Sequence, residues 1–205
     1  MQLKALSAFL LTTGSIFLLT CCSETTSRQQ VPFSQQHGGY ATQVEWGHHL
    51  IETGGCGDCH TPKKITAAGP VHDSSLLLSG HPSDFPLPEL DRSSLESRGI
   101  AATQTLTFWI GPWGVSYAAN LTPDSTGLLA WSEEQFITSL REGVAKGIKG
   151  NRPVLPPMPV NVTKKYTTEE LKAMFAYLKT IKPVKNIVPQ PMPPVMPPPP
   201  PASGN

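Results

Sequence analysis

The stretch Gly54-Gly55-Cys56-Gly57-Asp58-Cys59-His60-Thr61-Pro62 decides how this chain is read. Two cysteines three apart, followed at once by histidine, form the C-x-x-C-H pattern of covalent c-type haem attachment. Thiols at this spacing add to the two vinyl groups on one haem edge. The next residue then lies under the iron and supplies its imidazole. Cys56 and Cys59 are therefore the expected covalent attachment points for one haem c, and His60 the proximal ligand.

Two other chemistries use similar residues. Cys-Gly-Asp-Cys has the spacing of a thiol oxidoreductase site, but that reading wants a preceding strand and alternating strands and helices. Zinc would need Cys56, Cys59 and two of His60, His72 and His81. Just before the motif, Val44, Trp46, Gly47, Leu50 and Ile51 fall near helical spacing, and Gly54-Gly55 stops that helix. Thr61-Pro62 follows the motif. A helix before it and few strands anywhere disfavour the thiol reading.

An electron carrier needs a sixth ligand. Met174 lies mid-pattern on an apolar helix face, and Met192 and Met196 fall among prolines. Met158 remains, inside Pro153-Val154-Leu155-Pro156-Pro157-Met158-Pro159, where prolines stiffen a loop that must hold a thioether. His72 and His81 are the alternatives. The second ring nitrogen of His60 needs an acceptor. The Gly69-Pro70 carbonyl is the expected one, with Pro70 fixing its direction.

Outward from the motif, residues 61–125 are rich in turn formers, with Thr103 to Ile110 as a short extended segment. Ser132 and Gln135 form a capping-box pattern ahead of a helix over Glu133 to Glu142. Thr167 and Glu170 form another, ahead of a helix carrying Leu171, Met174, Phe175, Tyr177, Leu178 and Ile181, closed by Pro183. The expected class is mostly α: a few helices and long loops around one covalently bound haem.

The 205 residues are 39% apolar and 15% charged, which suits one globular domain with tails. A net charge of +1 gives no field to draw the chain onto nucleic acid. Four cysteines are too few for a disulfide scaffold. Lys4, the apolar run from Ala5 to Leu19 and the pair Cys21-Cys22 read as an export signal over 1–22. Residues 23–39 read as a tether, 40–188 as the haem domain, and 189–205 as a disordered proline-rich tail. Between Arg141 and Lys165 lie six basic residues and one acid, Glu142.

The signal resembles that of bacterial lipoproteins, which implies lipid on Cys21 or Cys22 and anchoring on the periplasmic side of a membrane. The alternative is a soluble periplasmic protein. The order of first helix, Cys56-Gly57-Asp58-Cys59-His60, Gly69-Pro70, Pro157-Met158-Pro159 and Ala176-Tyr177-Leu178 resembles a monohaem class I cytochrome c. The stretch from Asn120-Leu121-Thr122-Pro123-Asp124 through Trp131, Phe136 and Leu140-Arg141-Glu142-Gly143 is similar to haem domains of cytochrome c subunits of bacterial membrane-bound dehydrogenases. Those subunits usually carry three such domains, whereas this chain has one C-x-x-C-H.

The resemblance implies the cytochrome c fold, with the first and last helices crossing at Gly47 and Tyr177. It implies an electron-transfer protein rather than an enzyme, as a free carrier or as a subunit of a dehydrogenase. Its partners would be redox proteins: a dehydrogenase or cytochrome upstream, an oxidase or cytochrome downstream. A haem enzyme or gas sensor with an open iron position is the alternative function.

Overall fold

Thr42 opens the first helix, α1 (Gln43–Thr53), by accepting the Glu45 amide at 3.1 Å. The computed structural model describes residues 33–99 and 101–195, all within a unit that begins at Pro32. After the break at Gly54-Gly55 comes a single helical turn, α2 (Cys56–His60). Two strands follow, β1 (Lys63–Thr66) and β2 (Gly69–His72). They pair antiparallel with Ile65 opposite Pro70. Helix α3 (Arg92–Arg98) precedes a second antiparallel sheet of β3 (Ala101–Ala102), β4 (Phe108–Gly111) and β5 (Gly114–Tyr117). Helices α4 (Glu133–Glu142), α5 (Val160–Thr163) and α6 (Thr168–Leu178) complete the order.

This corrects the expected mostly α cytochrome c fold. Among the described residues, six helices stand beside two small antiparallel sheets, so the architecture is mixed α and β. Apart from Phe108 to Ile110, which fall within the extended segment expected over Thr103 to Ile110, the strands arise where turn formers pointed to loops. Gly111 pairs with Gly114, so Pro112-Trp113 is a two-residue hairpin turn, and Phe108, Trp109 and Ile110 lead into it as a fully buried strand. Such a run lacks the alternation that marks a half-exposed strand.

The capping boxes at Ser132 and Thr167 are both closed, with Gln135 and Glu170 reaching back to the cap amides at 2.9 and 2.7 Å. Leu50 and Ile51 of α1, Phe136 of α4, and Leu171, Met174, Phe175 and Leu178 of α6 form the main core with Leu78 and Leu128. Burying each large side chain contributes roughly 1.5–3 kcal/mol. Gly47 lets α1 and α6 touch: a Cβ there would overlap the Ala173 carbonyl and lie 2.9 Å from the Tyr177 Cβ. The second core, under the three-stranded sheet, is Phe108, Ile110 and Val115.

Residues 33–39 form a 3-10 turn broken at Gln36, and Gly38 lies against the Trp46 indole. At the other end Met192 pairs with Val115 in an isolated antiparallel bridge, so 191–195 is seated rather than free. The export signal and Cys21 and Cys22 lie outside the described residues, as does 196–205. Among the described residues no helix is long and apolar enough to cross a membrane.

Candidate haem site

Gly55 takes a left-handed conformation and reverses the chain between α1 and α2. This sets Cys56 and Cys59 three residues apart on one turn, where side chains share a face. Both cysteines are free and partly buried. Burial pushes the Cys56 thiol up to about 11. It raises the Cys59 thiol as well, against the opposing charge of Lys63. Both are therefore protonated thiols at neutral pH.

Three backbone ties fix the end of the motif. Thr61, fully buried, accepts the Leu78 amide on its hydroxyl at 3.1 Å. The His60 carbonyl accepts the Gly80 amide at 2.8 Å. The Nδ1 of His60 lies 2.8 Å from the carbonyl oxygen of Ala119. A carbonyl only accepts, so this nitrogen carries the proton and Nε2 keeps its lone pair. Burial lowers the His60 pKa, opposed by that hydrogen bond, so the ring is neutral at pH 7. A neutral imidazole with Nε2 free is the metal-ligating form.

The acceptor is therefore Ala119, not the carbonyl beside Pro70. Pro70 sits in the β1–β2 hairpin opposite Ile65, and the Gly69 carbonyl accepts the Thr66 hydroxyl at 2.7 Å. Ala119 lies just past β5, where the His81 amide donates to Ala118 at 2.9 Å. Next to it, buried Asn120 accepts the Thr122 amide at 2.9 Å and donates to the Val184 carbonyl at 2.9 Å. Nothing in the side chain of Ala119 advertises this role. The turn-forming stretch Asn120-Leu121-Thr122-Pro123-Asp124 beside it is the available signal.

Lys63 is a second residue that sequence reasoning missed. Its ammonium donates to the Asp58 carbonyl and, at 3.0 Å, to the Thr105 carbonyl, tying α2 to the segment before β4. Asp58 in turn lies 3.7 Å from His72 Nε2.

His81 and His72, the alternatives to Met158, lie in different surroundings. His81 is wholly buried among Phe85, Phe108 and Tyr117. Its ring nitrogens meet the Thr107 hydroxyl at 2.9 Å and the Phe85 carbonyl at 2.8 Å, so neither is available to a metal. His72 is exposed on the hairpin beside Asp58. Met158 is partly buried, and its loop is fastened where the Ser116 hydroxyl donates to the Pro156 carbonyl at 2.6 Å. One segment, 114–120, thus holds both the Met158 loop and the His60 ring. Among the described residues no three His, Cys, Asp or Glu side chains converge as a metal site of their own. The donor set at α2, two thiols on one face and one oriented imidazole, fits a haem.

No protein-family model matches the chain. It is 26% identical over 184 residues to the fructose dehydrogenase cytochrome subunit of Gluconobacter japonicus, covering 88% of this chain and 29% of that protein. It is 32% identical over 79 residues to a subunit of the nicotinate dehydrogenase of Pseudomonas putida, covering 38% of this chain and 6% of that protein. Over most of its length the chain is thus distantly similar to a cytochrome subunit of a dehydrogenase. The similarity is distant, and the chain spans less than a third of either relative's length.

Proposed function

We propose that this chain is an exported monohaem c-type cytochrome that passes single electrons between redox proteins. The observation that carries the reading is the state of His60, with Nδ1 committed to Ala119 and Nε2 free beside two unpaired thiols. Similarity to a cytochrome subunit supports the same chemistry.

Cys56 and Cys59 would hold the haem through thioether bonds, and His60 Nε2 and the Met158 thioether would bind its iron. The bound haem supplies reversible one-electron exchange at its iron. The chain's own residues keep that exchange repeatable. Ala119 fixes the imidazole plane and enriches Nε2 as a donor. Lys63 and Thr61 hold α2 against the segments on either side. The Ser116–Pro156 hydrogen bond limits the travel of the Met158 loop. Lipid on Cys21 or Cys22 would keep the protein at the periplasmic side of a membrane. There it would take electrons from a dehydrogenase or cytochrome and give them to an oxidase or cytochrome.

The test is expression with haem-maturation machinery, followed by intact mass and an alkaline pyridine spectrum of the mature chain. One covalent haem per chain is expected. An unmodified mass with two titratable thiols would overturn the reading.

A further inference from the structure

The edge of β5 meets the segment 191–195 in a way that packing alone does not require. The Val115 amide donates to the Met192 carbonyl at 2.9 Å, and the Met192 amide returns the bond to Val115 at 3.1 Å. The Met192 side chain packs on the core of Phe108, Ile110 and Val115. Gly114, at φ +93°, clears the approach: a Cβ there would lie 2.7 Å from the Pro193 carbonyl carbon and 2.8 Å from the Pro194 nitrogen. From α3, Arg92 donates to the Pro193 carbonyl at 2.6 Å. Glu96, buried, accepts Arg92 at 2.7 Å on one oxygen and the Val195 amide at 2.8 Å on the other.

The chemistry of the segment matches these groups position by position. In Pro191-Met192-Pro193-Pro194-Val195 only Met192 and Val195 own backbone amides, and both donate. The prolines fall where no donor is asked for, and the Pro193 carbonyl is met by a guanidinium. A proline-rich strand is also pre-extended, so little conformational entropy is lost on docking.

We propose that the β5 edge, with Arg92 and Glu96, is a recognition site for an extended proline-rich strand of the pattern Pro-Met-Pro-Pro-Val. Its resident ligand is the chain's own 191–195. The site recognises its ligand by adding a strand to a sheet edge, and Arg92 and Glu96 set the register. This does not rest on the haem reading.

Two measurements on the full-length chain test it. In the wild type, hydrogen exchange at the Met192 and Val195 amides should be slowed at least tenfold relative to an unstructured peptide. A full chain carrying Met192→Pro and Val195→Pro should release its tail, because both donated amides are gone. A fluorescent synthetic peptide of residues 189–198 should then bind that variant saturably. Binding to wild type should be at least tenfold weaker, since the tethered tail competes at roughly millimolar effective concentration. A peptide with Val195→Pro loses its bond to a charged acceptor and should bind roughly tenfold more weakly or worse. That arm leaves the protein untouched, so it stands whatever Arg92 or Glu96 variants do to folding. Unprotected Met192 and Val195 amides in wild type, or equal binding of the two peptides, would overturn the proposal.

Discussion

The Nδ1 of His60 and the carbonyl oxygen of Ala119 lie 2.8 Å apart although 59 residues separate them in sequence. That single bond fixes which ring nitrogen keeps its lone pair. It also joins the attachment motif to the end of β5, whose Ser116 holds the Met158 loop through Pro156. One short segment, 116–119, is thus tied both to the attachment motif and to the loop bearing Met158.

Met158→Ala should leave haem attached, because the covalent bonds would come from Cys56 and Cys59. The oxidised protein should lose its sulfur-to-iron charge-transfer absorption, and the reduction potential should fall as a weaker ligand enters. Ser116→Ala removes the tie to Pro156 without touching the ligand. It should broaden or weaken the same absorption while haem content stays at one per chain. An unchanged spectrum in Met158→Ala would exclude that methionine, and His72 would be the next side chain to test.

Gly47→Ala places a methyl where the Ala173 carbonyl already sits. Helices α1 and α6 must move apart, and the shared core loosens. Overpacking of this kind costs about 3 kcal/mol. Urea unfolding should show a lower midpoint at unchanged slope, since the area exposed on unfolding is nearly the same.

Asp124 accepts the Thr126 hydroxyl at 2.6 Å and the Thr126 amide at 2.8 Å. These bonds, the hydroxyl foremost, hold its pKa below the ordinary 3.8. The folded state therefore binds this proton less readily than the unfolded chain. Its contribution to stability is complete above the ordinary carboxylate range and is lost as pH falls through the depressed value. Asp73 and Asp91, held low chiefly by the Ser75 and Ser93 hydroxyls, act in the same direction. Thermal melts between about pH 2 and 6 should show a decline at the acid end, and Asp124→Asn should flatten part of it.

The parts legible in the sequence are those written in side chains. Ser132 with Gln135 and Thr167 with Glu170 announce two helix starts, while the crossing at Gly47 is implied by the resemblance alone. The attachment motif is readable for the same reason. What stayed hidden is written in backbone. The strands are four residues or fewer, too short to display a period, and β1 and β2 are largely exposed with no apolar face to give them away. Ala119 acts through a carbonyl that every residue owns. The tail looks unstructured in sequence because prolines lack donors, yet the two donors that remain are the ones its seat requires. Pro70 is near His60 in sequence, but the hairpin uses the neighbouring Gly69 carbonyl itself.

Lys146, Lys149, Arg152, Lys164 and Lys165 are exposed, and among the described residues none is ion-paired. Val154 and Gly143 bond at 2.7 Å and Val144 bridges Pro153, so the loop bearing Met158 is stitched to the segment bearing Lys146 and Lys149. Five cations flanking Met158 should draw anions to that side of the molecule. Electron exchange with an anionic iron–cyanide complex should slow as salt rises, because exposed charges are screened beyond about 10 Å at 0.1 M. Exchange with a cationic ruthenium–ammine complex should quicken over the same range. Reversing Lys146 and Lys149 to Glu should lower the anionic rate several-fold and raise the cationic one, with the reduction potential nearly unchanged. Both residues are exposed, so stability should not move. Rates that ignore salt for both reagents would show that these cations do not face the electron-exchange surface.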